Sequence, residues 1–379
     1  MSATGQSRLR VLIAGGGVAG LEAALALRDL AADRVEITML APEPEFVYRP
    51  LRVTEPFASS RARHYALDEI ARELELELVR GSFGSLDAAR RTVRTEAGAQ
   101  LHYDALLLAL GARPQRRFAH ALTLDERQLD EQLHGLVQDV EAGYVRKLAF
   151  IEPAQMPWPL PIYELALMTA RRAWEMSAEV SITVVTPEEG PLAVFGATAS
   201  EAVQGLLEEH GVLVISSAHC ETPAPGQVAL GPGGRVLHVE RVVALPELAG
   251  PATPGVPKHD LHGFIPIDDH CRVPGLEHVY AAGDATEFPV KHGALAAQQA
   301  DAAAASIAAL AGAPVTPTPF EPVIYGTLLG GDRPLYMRAR LAGDRALSSE
   351  VGDEPTWSPQ AKIVARYLAP YLEARAASR

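Results

Sequence analysis

A glycine-rich turn near the start of the chain constrains the fold more than any other feature. The apolar run Val11–Ala14 is followed by Gly15, Gly17 and Gly20, and then by the Ala- and Leu-rich stretch Leu21–Leu30. The order strand, tight turn, helix is typical of a βαβ unit that binds a dinucleotide. The first glycine permits the turn, the second lets a pyrophosphate approach the backbone, and the third lets helix and strand pack closely. The helix N-terminus offers free N–H groups to the anion.

The second strand of this unit, Val35–Leu40, ends without the acidic residue that usually holds the adenosine ribose. Ala41 occupies that position, so we expect the ribose contact to move to Glu43 or to be lost. Arg49, in the following loop, is a candidate partner of the pyrophosphate. A solvated surface arginine is an equal alternative.

A second copy of the unit lies in the middle of the chain. Val180–Pro187 repeats Val35–Pro42 almost position for position, and a strand at Leu148–Ile151 and a helix at Tyr163–Met176 precede it. We therefore predict an α/β fold class with two Rossmann-like three-layer domains of the FAD/NAD(P)-binding type. A small antiparallel β layer over residues 83–103 and a short C-terminal α+β segment complete the predicted architecture.

The duplication also predicts the domain boundaries. Residues 1–120 and 246–312 are expected to form one discontinuous cofactor-binding domain, 121–245 the second Rossmann-like domain, and 313–379 a C-terminal interface segment. The tail Pro359–Ser378 places apolar side chains on one face of a predicted helix. We expect this face to pack on the first domain or on a partner subunit, with contact to a membrane surface as the alternative.

The second domain lacks a glycine-rich turn. Between Glu152 and Glu164 the sequence is rich in proline and contains no glycine. Proline removes N–H donors and prevents the tight turn that a phosphate needs. We therefore predict a degenerate nucleotide site that binds NADH and NADPH only weakly.

Three separated motifs resemble the two-domain FAD-dependent flavoproteins of the pyridine nucleotide-disulfide oxidoreductase-like superfamily. They are the glycine-rich turn, the strand Leu106–Leu110 ending in Gly111, and the segment Val279–Thr286. In that family the late Gly-Asp motif, here Gly283 and Asp284, places the Asp on the ribityl or phosphate region of FAD. The resemblance implies FAD as the cofactor, with the next helix N-terminus aimed at the flavin ring.

The turn before that helix supplies the candidate catalytic residues. The resemblance places Lys291 and His292 beside the flavin, with Lys291 also a cofactor contact. His292 is a candidate proton donor or acceptor because histidine usually titrates near neutral pH. A capping or exposed histidine is the alternative. Tyr163, at the end of the proline-rich loop, is the third candidate.

The proline-rich loop ending in Tyr163 and Glu164 resembles the sulfide:quinone oxidoreductases and the flavoprotein of flavocytochrome c sulfide dehydrogenase, which lie near the type II NADH dehydrogenases. In those sulfide enzymes a Cys in this loop attacks or carries sulfur. Trp158 stands about where that Cys would be. The resemblance implies that the Met156–Tyr163 loop and the C-terminal segment cover the front of the flavin.

Composition excludes several other classes of protein. The 47 Asp and Glu residues against 34 Lys and Arg give a net charge of −13, which repels phosphate backbones and argues against nucleic acid as a partner. Cys220 and Cys271 form no CxxC and no cluster with histidine, so we predict packing roles for both and no metal site. No segment has the length and hydropathy of a signal peptide or a membrane span. We expect a cytoplasmic protein, with peripheral contact at the inner face of the membrane left open.

These features together predict an FAD-dependent oxidoreductase that exchanges electrons with a quinone or another small organic substrate. One alternative is an NAD(P)H dehydrogenase of the type II kind, and a second is a non-catalytic binding protein with a flavin fold. A homodimer is compatible with the sequence.

Overall fold

The helices and strands follow the predicted βαβ pattern. A computed structural model describes residues 8–58, 61–125, 129–154, 158–259 and 262–377. Within these ranges the α-helices are α1 (Val18–Ala31), α2 (Leu67–Glu73), α3 (Leu129–Glu141), α4 (Leu160–Glu175), α5 (Ala197–Glu209), α6 (Gly293–Leu310) and α7 (Leu368–Ala377).

The first sheet carries the glycine-rich turn at its carboxyl edge. In spatial order its strands are Val279–Ala281, Ala105–Leu108, Leu9–Ala14, Val35–Ala41 and Glu77–Arg80. All neighbouring strands are parallel. The strands are apolar and mostly buried because helices cover the sheet, and α1 packs against α6 on one face.

The second sheet repeats this arrangement. Its strands, again parallel throughout, are in spatial order Leu122–Thr123, Arg241–Ala244, Lys147–Ile151, Ser181–Val185 and Val212–Ile215. The predicted fold class, with two Rossmann-like α/β units, is therefore confirmed. The exact domain boundaries stay a prediction.

Smaller antiparallel layers join and flank the two parallel sheets. One pair of strands, Arg113–Gln115 and Glu247–Ala249, forms at the two crossings between the predicted domains. The others are Glu45–Val47 with His64–Ala66; Phe83–Asp87, Thr92–Thr95 and Gln100–His102; His219–Glu221, Gln227–Gly231 and Val236–His238; and Val323–Leu328, Leu335–Ala342, Arg345–Ala346 and Glu350–Gly352. Short 3₁₀ turns cover Ala32–Arg34, Arg49–Phe57, Ala193–Phe195 and Gly283–Ala285.

The C-terminal helix is shorter than the predicted one. Only α7 is helical, so the prediction of a helix from Pro359 onward is wrong for residues 359–367. The N–H groups of Tyr367 and Leu368 donate to the Glu22 carboxylate of α1, at 2.9 and 2.5 Å. Because side chains of the first domain bind this backbone, the helix begins only at Leu368.

The apolar face of the C-terminal segment packs on the first domain, as predicted. Ile363, Leu368 and Leu372 are buried in the core that α1 and α6 share. Beside this contact, Glu22 faces Asp301 of α6, and Glu22 is fully buried. Burial first, and then the negative charge of Glu22, raise the pKa of Asp301 to about 8.

We expect Asp301→Asn to stabilise the protein at high pH. An aspartate in the unfolded chain titrates near pH 4, so the folded state holds a proton that the unfolded state has lost between about pH 4 and 8. The free energy of unfolding therefore falls as pH rises through this range, and the Asn variant escapes that fall. We expect a gain of roughly 1–2 kcal/mol at pH 8.5 and less at pH 5 in denaturant unfolding. Asp33→Asn, at an exposed position of the 3₁₀ turn after α1, is the control, and an equal gain at both pH values would contradict the assignment.

Candidate cofactor and redox site

The three glycines of the glycine-rich turn have two different roles. Gly15 has a φ of +127°, and a Cβ there would lie 2.0 Å from the carbonyl oxygen of Ala109. A Cβ on Gly20 would lie 1.9 Å from the carbonyl oxygen of Gly15. A Cβ on the exposed Gly17 would meet no atom within 4 Å. Gly15 and Gly20 therefore serve packing, whereas Gly17 faces open space in which a ligand can reach the backbone.

The N-terminus of α1 is prepared for an anion. Gly17 is its N-cap, no side chain caps the helix, and the first turn holds no acidic residue. The first N–H groups of a helix have no partner within the helix, and the helix dipole places positive charge there. A pyrophosphate fits this end of the helix.

The Gly283–Asp284 turn lies against the same helix. A Cβ on Gly283 would be 3.3 Å from the Cβ of Ala19 in α1 and 3.4 Å from that of Ala296 in α6. Its N–H donates to the side-chain oxygen of the buried Gln299 at 2.8 Å. The structure thus brings the glycine-rich turn, the late Gly-Asp motif and the start of α6 together.

Lys291 is buried immediately before α6. Its ammonium donates to the carbonyl oxygen of Thr286 and lies 4.0 Å from the centre of the Phe264 ring. Burial lowers the pKa of Lys291 to about 8, although the charge of the nearby Asp284 opposes the shift. The start of α6 therefore carries a cation next to the Gly-Asp turn.

His292, the N-cap residue of α6, is a neutral imidazole. Burial lowers its pKa to about 3, and a hydrogen bond with the backbone of Tyr325 only partly opposes this. Its ring centre lies 4.3 Å from that of Trp158, and its Nδ1 is buried without a partner among the described residues. The predicted proton exchange required a pKa near neutral, and the pKa of His292 lies well below that range. The side chain can accept a hydrogen bond, and a catalytic role stays a prediction.

The remaining predicted contacts lie around the first sheet. Gly111 follows its strand with a φ of +69°, and a Cβ there would meet nothing within 4 Å. Glu43 is exposed in the turn after Val35–Ala41, where Arg80 donates to its carbonyl oxygen. Arg49 is exposed at the start of a 3₁₀ turn. Arg80 was not foreseen, because only the parallel pairing of its strand with Val35–Ala41 brings it to this edge.

Tyr163 belongs to the second domain. It is fully buried in the first turn of α4, and its hydroxyl donates to Glu188 at 2.8 Å. Met156 and Pro157, the first two residues of the predicted covering loop Met156–Tyr163, lie outside the described residues.

The sequence did not assign a role to the ion pair between Lys362 and Glu164. The Lys362 ammonium donates to the Glu164 carboxylate at 2.7 Å and to the Pro50 carbonyl at 3.3 Å. The neighbouring Ile363 lies over the start of α6, with its Cγ1 3.1 Å from the place of a Cβ on Gly293. A single lysine between Ala and Ile was the only local signal.

Neither thiol is prepared for redox chemistry. Cys220 and Cys271 are both free and buried. Burial raises the pKa of Cys220 to about 12 and that of Cys271 further still, so both are protonated at neutral pH. Both observations agree with packing roles.

The described residues offer neither a metal site nor a membrane-spanning helix. Among the described residues, no group of three or more His, Cys, Asp or Glu side chains could hold a metal ion. In the same residues, no helix combines the length and apolar character needed to cross a membrane.

Two Rossmann-like units around one open glycine-rich turn define a two-domain dinucleotide-binding fold. The family described as pyridine nucleotide-disulphide oxidoreductase matches residues 9–142 and 164–306. The chain belongs to this family and is a flavin-dependent oxidoreductase. The resemblance found in the sequence is thereby confirmed.

Two proteins are similar to this chain in sequence over more than half of its length. An NADH dehydrogenase-like protein of Mycobacterium tuberculosis is 28% identical over 300 residues, which cover 73% of this chain and 72% of that protein. The sulfide-quinone reductase of Aquifex aeolicus is 25% identical over 239 residues, 58% of this chain and 53% of that protein.

Solved structures share the fold. The sulfide:quinone oxidoreductase of Aquifex aeolicus superposes with a TM-score of 0.79 at 19% identity, covering 92% of this chain and 87% of that one. A ferredoxin reductase of Rhodopseudomonas palustris gives a TM-score of 0.68 at 20% identity, with 88% and 83% covered.

Proposed function

We propose that this protein is an FAD-dependent oxidoreductase that exchanges electrons with a quinone or another small, uncharged organic molecule. The observation that carries the proposal is the open position at Gly17 beside the uncapped start of α1, next to the Gly283–Asp284 turn. This cradle suits the pyrophosphate of a dinucleotide. FAD, when bound, supplies the two-electron redox chemistry.

In this proposal the protein binds and orients the cofactor. The first N–H groups of α1 hold the pyrophosphate, with Arg49 as a second phosphate contact. Asp284 accepts a sugar or ribityl hydroxyl, and Glu43 is the contact for the adenosine ribose. Lys291 and the uncapped start of α6 favour negative charge at the ring end of the site.

The substrate side is aromatic and apolar. Trp158 packs on His292 and, edge to face, on Phe195 at 5.8 Å. Ile363 covers the start of α6, and the Lys362–Glu164 pair ties the segment that carries it to α4. Such walls favour a planar, uncharged substrate. A quinone is also the acceptor in the name of the Aquifex aeolicus relative.

An NAD(P)H dehydrogenase is the second candidate, because the Mycobacterium tuberculosis relatives are named NADH dehydrogenase-like. The absence of glycine between Glu152 and Glu164 argues against it. The two candidates differ in how the bound flavin is reduced.

We expect the purified protein to be yellow and to release FAD on denaturation. After anaerobic photoreduction, a short-chain quinone should reoxidise the bound flavin with a rate that saturates with quinone concentration, unlike free FAD. Combined Cys220→Ser and Cys271→Ser should leave this rate within about twofold of the wild type, because both thiols are protonated and buried. Stopped-flow absorbance measures the rate of flavin reoxidation in the wild type and in the double variant. Fast, saturable reduction by NADH would favour the second candidate, and fast reduction by sulfide that is lost with the cysteines would contradict both.

A further inference from the structure

The residue that directly follows the central strand differs between the two parallel sheets. In the first domain the N–H of Gly15 donates to the carbonyl of Leu40 at 2.8 Å. In the second domain the N–H of Glu152 donates to the carbonyl of Val185 at 3.1 Å. Leu40 and Val185 are equivalent in the repeated strands. Glu152 therefore stands where the first glycine of the dinucleotide turn stands.

The third strand of each sheet supports this equivalence. The N–H of Ala109 donates to Ala14 at 2.8 Å, and that of Leu245 donates to Ile151 at 3.2 Å. Ala14 and Ile151 directly precede the two equivalent positions. The equivalence between the two domains therefore extends to the three neighbouring strands whose carboxyl ends surround the turn.

Glu152 belongs to a buried network at this edge. Thr186 donates its hydroxyl to Glu152 at 3.0 Å, and Tyr163 donates to Glu188 at 2.8 Å. The Oε1 atom of Glu152, a residue only 1% exposed, has no partner among the described residues. Burial and then the charge of Glu188 raise the pKa of Glu152 well above its usual value. Burial likewise raises the pKa of Glu188 to about 7.

This edge offers little to an anion. Within the part of the chain that the structure describes, no Lys or Arg forms an ion pair with Glu152 or Glu188. The start of α4 is also poor in donors, because Pro159 and Pro161 have no N–H, and the N–H of Ile162 already binds the Pro159 carbonyl at 3.0 Å. A phosphate here would meet carboxyl groups instead of free amides.

We propose that Glu152 and Glu188 exclude pyridine dinucleotides from the second domain. The two residues would thereby determine which electron donors the protein accepts. The Glu152 side chain occupies the edge where a pyrophosphate would approach the backbone, and any negative charge on the pair repels it. A dinucleotide therefore meets the Glu152 side chain where the first domain has only the hydrogen of Gly15. The family match covers residues 9–142 and 164–306, so the segment that holds Glu152 and Tyr163 lies outside it.

Binding of NADH to the full-length, flavin-loaded protein tests the proposal. Equilibrium dialysis under argon measures its dissociation constant in the wild type, in Glu152→Gly combined with Glu188→Gln, and in Glu189→Gln. We expect the combined variant to bind NADH at least about tenfold more tightly than the wild type. Glu189, exposed in the same turn, is the matched control and should change binding less than about twofold.

A second, milder variant keeps the proposal testable if the combined variant does not fold. Glu188→Gln alone alters a partly buried side chain and keeps its size, and we expect NADH binding about threefold tighter than in the wild type. Flavin content and circular dichroism verify the fold of each variant. Micromolar binding by the wild type, or no gain in any folded variant, would overturn the proposal. Because dialysis measures binding alone, its outcome is separate from that of the quinone experiment.

Discussion

Gly17→Val is expected to fold normally and to purify without FAD. A Cβ at this position meets no protein atom within 4 Å, so the fold has room for the side chain. The same room is the path by which a pyrophosphate reaches the N–H groups of α1. We expect flavin occupancy below about a tenth of the wild-type value, measured as the ratio of flavin to protein absorbance after dialysis.

A neighbouring glycine provides the control. A Cβ on Gly20 would lie 1.9 Å from the carbonyl oxygen of Gly15, so Gly20→Ala should lower the thermal stability of the protein itself. The two variants thus separate loss of the cofactor from loss of the fold. Full FAD occupancy in a folded Gly17→Val protein would show that the proposed binding mode is wrong.

Lys362→Met is expected to destabilise the protein by about 3–5 kcal/mol at neutral pH. The side chain of Glu164 is only 2% exposed, and without Lys362 its charge is buried with no ionic partner. Burial already raises the pKa of Glu164, and the Lys362 charge is the main opposing effect. The free energy of unfolding, from denaturant titration, gives the loss.

A double variant isolates the ion pair. Combining Lys362→Met with Glu164→Gln should recover most of the lost stability, because no unpaired charge stays buried. Lys258→Met, at an exposed position, should change stability by less than about 0.5 kcal/mol. A single Lys362→Met variant as stable as the wild type would mean that the pair does not hold the C-terminal segment.

The sequence predicted the two βαβ units well because their signals are local. Continuous apolar strands, a glycine-rich turn and a repeated strand motif each lie within a short window. The start of α7 was missed because it depends on Glu22, which lies 346 positions before Leu368 along the chain. A helix pattern in residues 359–367 could not reveal that their backbone binds another element.

The chemistry of individual side chains was harder to foresee than the fold. The family resemblance implied a place for His292 beside the cofactor, and we expected its pKa to be near neutral; burial, which includes contact with Trp158, keeps the ring neutral. It identified a loop without glycine after Ile151, but not the pairing of Glu152 with Glu188. That pairing requires the two strands to be neighbours, which only the sheet order determines.

The hydrogen bond from Ile363 to the Tyr48 hydroxyl joins residues 315 positions apart, and it sets an order of assembly. During synthesis the glycine-rich turn leaves the ribosome long before the segment that covers the start of α6. Residues 362–372, whose Ile363, Leu368 and Leu372 complete the core that α1 and α6 share, can therefore dock only after all the elements that receive them have been synthesised.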